Sequence, residues 1–219
     1  MSIALSLGNN LTTGGIFKPT AVNNTSVNNV TDFASITGDA TLVLLSTQTA
    51  SASASISFTS GINSTYDEYI FKFINIQPSS DGQPLLFQGS TDGGSTYGVT
   101  ITSTAFQASL DEGNLYPTLG YNTGRDLAQS TSYQGLVNDV GNGNDESKVG
   151  EMYLFAPSST TYVKHFIYRG HGYHASNAAN SEFYAGYFNT TSAINAIDFK
   201  FSSGNIDDGI IKMYGVAKS

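Results

Sequence analysis

Cysteine is absent from this chain, so no disulfide can staple it and no thiol can serve as a nucleophile or soft metal ligand. Tryptophan, the ring most often used as a sugar platform, is absent too. Charge is scarce. Asp, Glu, Lys and Arg make up 12% of the 219 residues, about half the usual share. The nine Lys and Arg residues are scattered and the formal net charge is −8. With no basic cluster to neutralise a run of phosphates, nucleic acid is not an expected partner. No apolar run approaches the roughly 18 residues of a membrane span, so no membrane is expected either. The first ten residues, MSIALSLGNN, lack the basic n-region of a signal peptide.

Catalytic signatures are equally thin. There is no Gly-x-Ser-x-Gly elbow and no glycine-rich loop ending in Lys-Ser or Lys-Thr. The adjacent carboxylates Asp67-Glu68 and Asp207-Asp208 point to opposite faces if they lie on strands, so neither pair forms a glycosidase dyad. His171 and His174 are read as a surface pair at a strand end and glycine-rich loop, with no carboxylate pair to complete a metal shell. The oxygen-rich stretch NDVGNGNDE (138–146) does not keep calcium-loop spacing and reads as a solvated loop tip. These absences predict a protein that is not an enzyme and needs no cofactor.

What is present is a period-2 rhythm of aromatic and β-branched residues that begins near Thr41. In NAIDFKFS, Ile197, Phe199 and Phe201 point one way and Asp198, Lys200 and Ser202 the other, the pattern of a half-buried strand. Strands are expected at 42–49, 53–60, 66–76, 150–156, 162–170, 181–188, 195–202 and 210–216. Residues 66–76, apolar on both faces, should run centrally, with Tyr69, Phe71 and Phe73 on one side and Ile70, Ile74 and Ile76 on the other. Residues 84–101 read as a hairpin turning at Asp92-Gly93-Gly94. Residues 110–148 are the least regular part, with a short helix expected at 125–129. Phe-Lys-Phe occurs at 71–73 and again at 199–201, a recurrence read as hairpin grammar within one domain. The sum is an all-β fold, a jelly-roll-like sandwich of about 8–10 strands, large enough to bury about 70% of its unfolded surface.

The first forty residues have no such rhythm. They are polar, rich in Asn pairs, and carry apolar residues only as isolated beads, Val27, Val30 and Ile36 among them; six stand out, Ile3, Leu5 and Leu7, then Ile16 and Phe17, then Phe33. Such a segment cannot bury enough surface to build its own core. It is either a flexible leader or an extended arm that gains order on a neighbouring subunit, and the alternation of Ile3, Leu5 and Leu7 suits an added strand. The expected organisation is an arm at 1–40, with those six residues as partner-binding candidates, and a sandwich domain at 41–219. Among the thirteen tyrosines, Tyr97, Tyr116, Tyr121, Tyr133, Tyr173, Tyr184 and Tyr187 fall in or near expected loops, where they fit an interface.

The run FTSGINSTYDEYIFKFINIQPSSDGQPLLFQGSTDGGSTY (58–97), with SSTTYVKHFIYRG and GYFNTTSAINAIDFKFSSGNIDDGIIKMYGV further on, resembles virion structural proteins of tailed phages, particularly aquatic and cyanobacterial ones. The resemblance spans most of 42–216 and brings no catalytic residues. It implies a virion component assembled in the host cytoplasm. The expectation is a capsid decoration or cement protein, a homotrimer that bridges capsomers of the major capsid protein. The alternative is a tail-fibre or receptor-binding module recognising a host-surface glycan.

Overall fold

The computed structural model describes residues 42–115, 117–136 and 138–218. Twelve strands follow in order: β1 (Leu42–Thr49), β2 (Ile56–Phe58), β3 (Glu68–Pro78), β4 (Leu85–Ser90), β5 (Ile101–Asp111), β6 (Thr118–Tyr121), β7 (Gln134–Gly135), β8 (Lys148–Phe155), β9 (Lys164–His174), β10 (Ala178–Phe188), β11 (Ala196–Phe201) and β12 (Ile206–Val216). They build an eight-stranded sheet, β1-β12-β3-β8-β9-β10-β5-β6, and a four-stranded sheet, β2-β11-β4-β7, antiparallel throughout. The two sheets pack face to face as a β-sandwich.

The pairing is nested. β12 lies between β1 and β3, and β8 lies beyond β3; in the other sheet β11 lies between β2 and β4, and β7 lies beyond β4. The chain therefore alternates between sheets as in a jelly roll. Two insertions, β5-β6 and β9-β10, both add to the β8 side of the large sheet and make it twice as wide as the small one.

Phenylalanines fill the space between the sheets. Phe199 on β11 meets Phe71 and Phe73 on β3 at ring separations of 5.4 and 5.1 Å, edge to face, with Phe58 and Phe87 beside them. The repeated Phe-Lys-Phe has a physical meaning here: the inward rings of the two copies pack on one another across the sandwich. Phe87, Phe166 and Phe188 continue the cluster toward β9 and β10. β3 is central, as its apolar run on both faces implies.

Several local expectations change. Residues 84–101 are not a hairpin, because β4 pairs with β11 and β7 while β5 joins the other sheet. Asp92-Gly93-Gly94 still makes a tight turn, with Gly93 and Gly94 at positive φ, but the turn leads across the sandwich. Ile76 does not share a face with Ile70 and Ile74. Asn75 takes a φ of 50°, and the resulting irregularity rotates Ile76 into the core beside Phe73. The 53–60 strand shrinks to Ile56–Phe58, and Arg125 lies in a turn that closes on Asn122 rather than in a helix. The strand count exceeds the expected 8–10 because β6 and β7, four and two residues long, sit in the stretch read as irregular. The arm residues Ile3, Leu5, Leu7, Ile16, Phe17 and Phe33, and the boundary at 40/41, lie outside the described residues.

Candidate functional site

Strand side chains alternate between faces, and a sheet packed on one side would ordinarily be polar on the other. The large sheet departs from that rule. One row of outward residues crosses seven strands: Leu44, Tyr214, Ile70, Tyr153, Ile167, Ala185 and Thr104. Only the last has a hydroxyl on a small side chain; the rest are apolar or aromatic. The neighbouring row crosses all eight strands: Thr47, Lys212, Lys72, Glu151, Arg169, Phe183, Phe106 and Tyr121. It is charged on the β12-β9 side, where Arg169 lies 3.9 Å from Glu151, and aromatic on the insertion side, where Phe106 stacks on Phe183 at 5.0 Å.

Twelve large hydrophobic side chains are exposed among the described residues. Ten of them stand on this outer face: Leu42, Leu44, Ile74, Phe106, Leu110, Leu119, Tyr121, Val149, Ile167 and Phe183. Only Leu115 and Tyr162 are elsewhere. Seven inter-strand gaps of about 4.8 Å and the eight-residue rise from His165 to Tyr173 give a face on the order of 900 Å². A standard protein–protein interface takes about 800 Å² from each partner, so the face, its apolar and charged rows together, is of interface size. Three shallow depressions of about 520, 440 and 360 Å³ lie along the face, the largest lined by Phe155, His165, Ile167 and Tyr187. Partial burial, and then the Glu151 carboxylate, raise the pKa of the Tyr153 phenol, so it stays neutral within the row.

The residues singled out for chemistry stay apart. His171 points outward on β9 and His174 inward, both within a strand longer than expected; His174 Nε2 lies 3.8 Å from Asp139. In the 138–146 stretch, Asp139 is held by Arg125 at 3.0 Å, while Glu146 accepts a hydrogen bond from the Gly143 amide, so its carboxylates do not converge. Among the described residues no group of three or more His, Asp or Glu side chains could hold a metal.

The tyrosines divide. Tyr121 and Tyr187 join the outer face and Tyr173 reaches Glu112. Tyr184 is a core residue on β10, and Tyr133 covers the buried Asp198, donating to its carboxylate at 3.0 Å under Lys200. Tyr116 lies outside the described residues. The apolar outer face itself was missed: β8, β9 and β10 carry apolar residues on both sides of their alternation, a signal present in YLF (153–155), HFIY (165–168) and EFYAGYF (182–188). No known protein family, curated protein or solved structure matches the chain.

Proposed function

We propose that this chain is a structural protein of a phage virion, a capsid decoration protein that docks on its neighbours through the outer face of the eight-stranded sheet. The observation that carries the reading is the concentration of ten of twelve exposed large hydrophobic side chains on one face of interface size. Several features support it. The sandwich is built on jelly-roll pairing, and the charged fraction is 12%. The occupant is the neighbouring protein of the particle, the major capsid protein first. The aromatic end of the face suits burial, and the Lys212–Lys72–Glu151–Arg169 row, set between the exposed Ile74 and Val149 and the Leu44–Ile167 row, supplies mixed charge within the face. In this reading copies associate as trimers and the first forty residues form the arm that bridges to the next capsomer.

The test is location. An antibody or gold label on intact particles should find hundreds of copies spread over the head, and a chain beginning at Thr41 should fold yet fail to join particles. A few copies at the tail, or normal incorporation of the truncated chain, would overturn the decoration role or the arm respectively.

A further inference from the structure

Three of the polar side chains on the inner face of the large sheet, Lys148, Asn180 and Glu182, cluster around β9, apart from the buried Lys164 and Ser103 elsewhere on that face. Lys148 on β8 and Asn180 on β10 both pair with Gly172 of β9, from opposite sides. Gly150 and Glu182 flank Gly170 in the same way, one row along. Lys148, Asn180 and Glu182 are all at most 2% exposed. The two glycines of β9 put no side chain of their own between them, and the Tyr168 hydroxyl fills the space over Gly170 and Gly150. The Cα atoms of Lys148 and Asn180 are about 9–10 Å apart, twice the strand spacing, and an extended lysine with an asparagine spans that gap. Glu182 lies two residues from Asn180 on the same strand and face.

The polar atoms are poorly served. Lys148 Nζ donates to the Leu136 carbonyl at 3.0 Å and sits 4.6 Å above the Tyr168 ring, with no ion pair among the described residues. Glu182 accepts the Asn138 amide through one oxygen; its other oxygen, Asn180 Oδ1 and the Tyr168 and Tyr184 hydroxyls are buried without partners. Leaving so many polar groups unpaired in a dry core is costly, which makes the cluster a site in want of chemistry.

We propose that Lys148 and Asn180 form an intramolecular isopeptide bond, with Glu182 as the proton shuttle. The Lys148 amine attacks Asn180 Cγ, forming the N–C bond and moving the carbonyl electron pair onto Oδ1. Glu182 hands its proton to the departing Nδ2 and takes one from Nζ. The carbonyl re-forms, the Cγ–Nδ2 bond breaks with its electron pair leaving on nitrogen, and ammonia departs. An amine and a carboxamide become a secondary amide and ammonia; Glu182 is restored and no oxidant or cofactor is consumed. The environment suits each step. Burial pushes the Lys148 ammonium down to about 7, freeing the nucleophile, and pushes the Glu182 carboxyl up to about 7, keeping a proton available. Tyr168 and Tyr184 stay protonated because of their burial, and Arg125 and Asp139 are the other charged groups that act on the cluster, through Glu182 and Tyr184. The product N–H can donate to the free Glu182 oxygen.

Intact mass spectrometry of the denatured full-length chain tests this directly. The expected mass is one ammonia below that of the sequence, with peptide mapping joining the Lys148 and Asn180 peptides. Lys148→Met and Glu182→Gln should each restore the sequence mass. A wild-type chain at full sequence mass would refute the bond without recourse to any variant. So would ammonia loss confined to a backbone imide at Asn142–Gly143, or loss persisting in Lys148→Met.

Discussion

Truncating the aromatic end of the outer face should separate docking from folding. Ile167 is 48% exposed, Phe106 45% and Phe183 36%. Full burial of such a side chain is worth about 1.5–3 kcal/mol, so covering the exposed part of each contributes about 1 kcal/mol. Changing all three to Ala should therefore weaken docking by about 3 kcal/mol, on the order of a hundredfold in Kd. The Phe106–Phe183 stack adds about 0.5–1.5 kcal/mol if the partner relies on its rigidity. The isolated chain should scarcely notice, since single surface changes usually stay within about 0.5 kcal/mol. The assay is co-sedimentation of purified protein with particles stripped of it, alongside a thermal melt. A triple variant that melts like the wild type and binds with undiminished affinity would refute the docking face. A triple variant that melts far lower would show that the face belongs to the core.

Phe199→Ala removes the ring at the centre of the inter-sheet cluster and should cost about 3–5 kcal/mol, a fall in Tm of about 6–20 °C by calorimetry. Gly209 has a φ of 119°, and an added Cβ would lie 2.6 Å from the Asn75 carbonyl oxygen; Gly209→Ala should destabilise by more than about 1–2 kcal/mol in denaturant unfolding, while Asn75→Gly stays near neutral. Hydrogen bonds from Ser90 and then Thr96 hold the Asp92 carboxyl down to about 2. A depressed carboxyl contributes stability above its unfolded value near 4 and loses it as pH falls toward 2. Acid unfolding followed by circular dichroism should accordingly be shallower over that window in Asp92→Asn.

Much of the sandwich was legible because it is written in alternation. Ile197, Phe199 and Phe201 face inward as their spacing requires, and Tyr69, Phe71 and Phe73 do the same on β3. Long-range facts were less so. The Asp92 turn is stabilised by its own carboxylate, and that local signal does not say which sheet the next strand joins. The left-handed Asn75 leaves no mark in a hydrophobic pattern, so Ile76 was placed on the wrong side. The outer face was obscured because apolar residues on both sides of a strand suggest burial on both sides, whereas here one side is open. Nothing in the local sequence links Lys148, Asn180 and Glu182; only the pairing of β8 and β10 with the glycines of β9 brings them together under Leu136 and Asn138.

The nested pairing governs when this chain can fold. Among the described residues β1 pairs only with β12 and β2 only with β11, so the small sheet waits for β11 and the large sheet for β12 to leave the ribosome. Until then β3 lacks its β12 neighbour and presents a long, apolar, unpaired edge. Closing such distant contacts is slow, on a scale of about milliseconds to seconds. The nascent chain is thus most vulnerable to aggregation in the interval between synthesis of β3 and emergence of β12, when chaperone protection would most improve its yield.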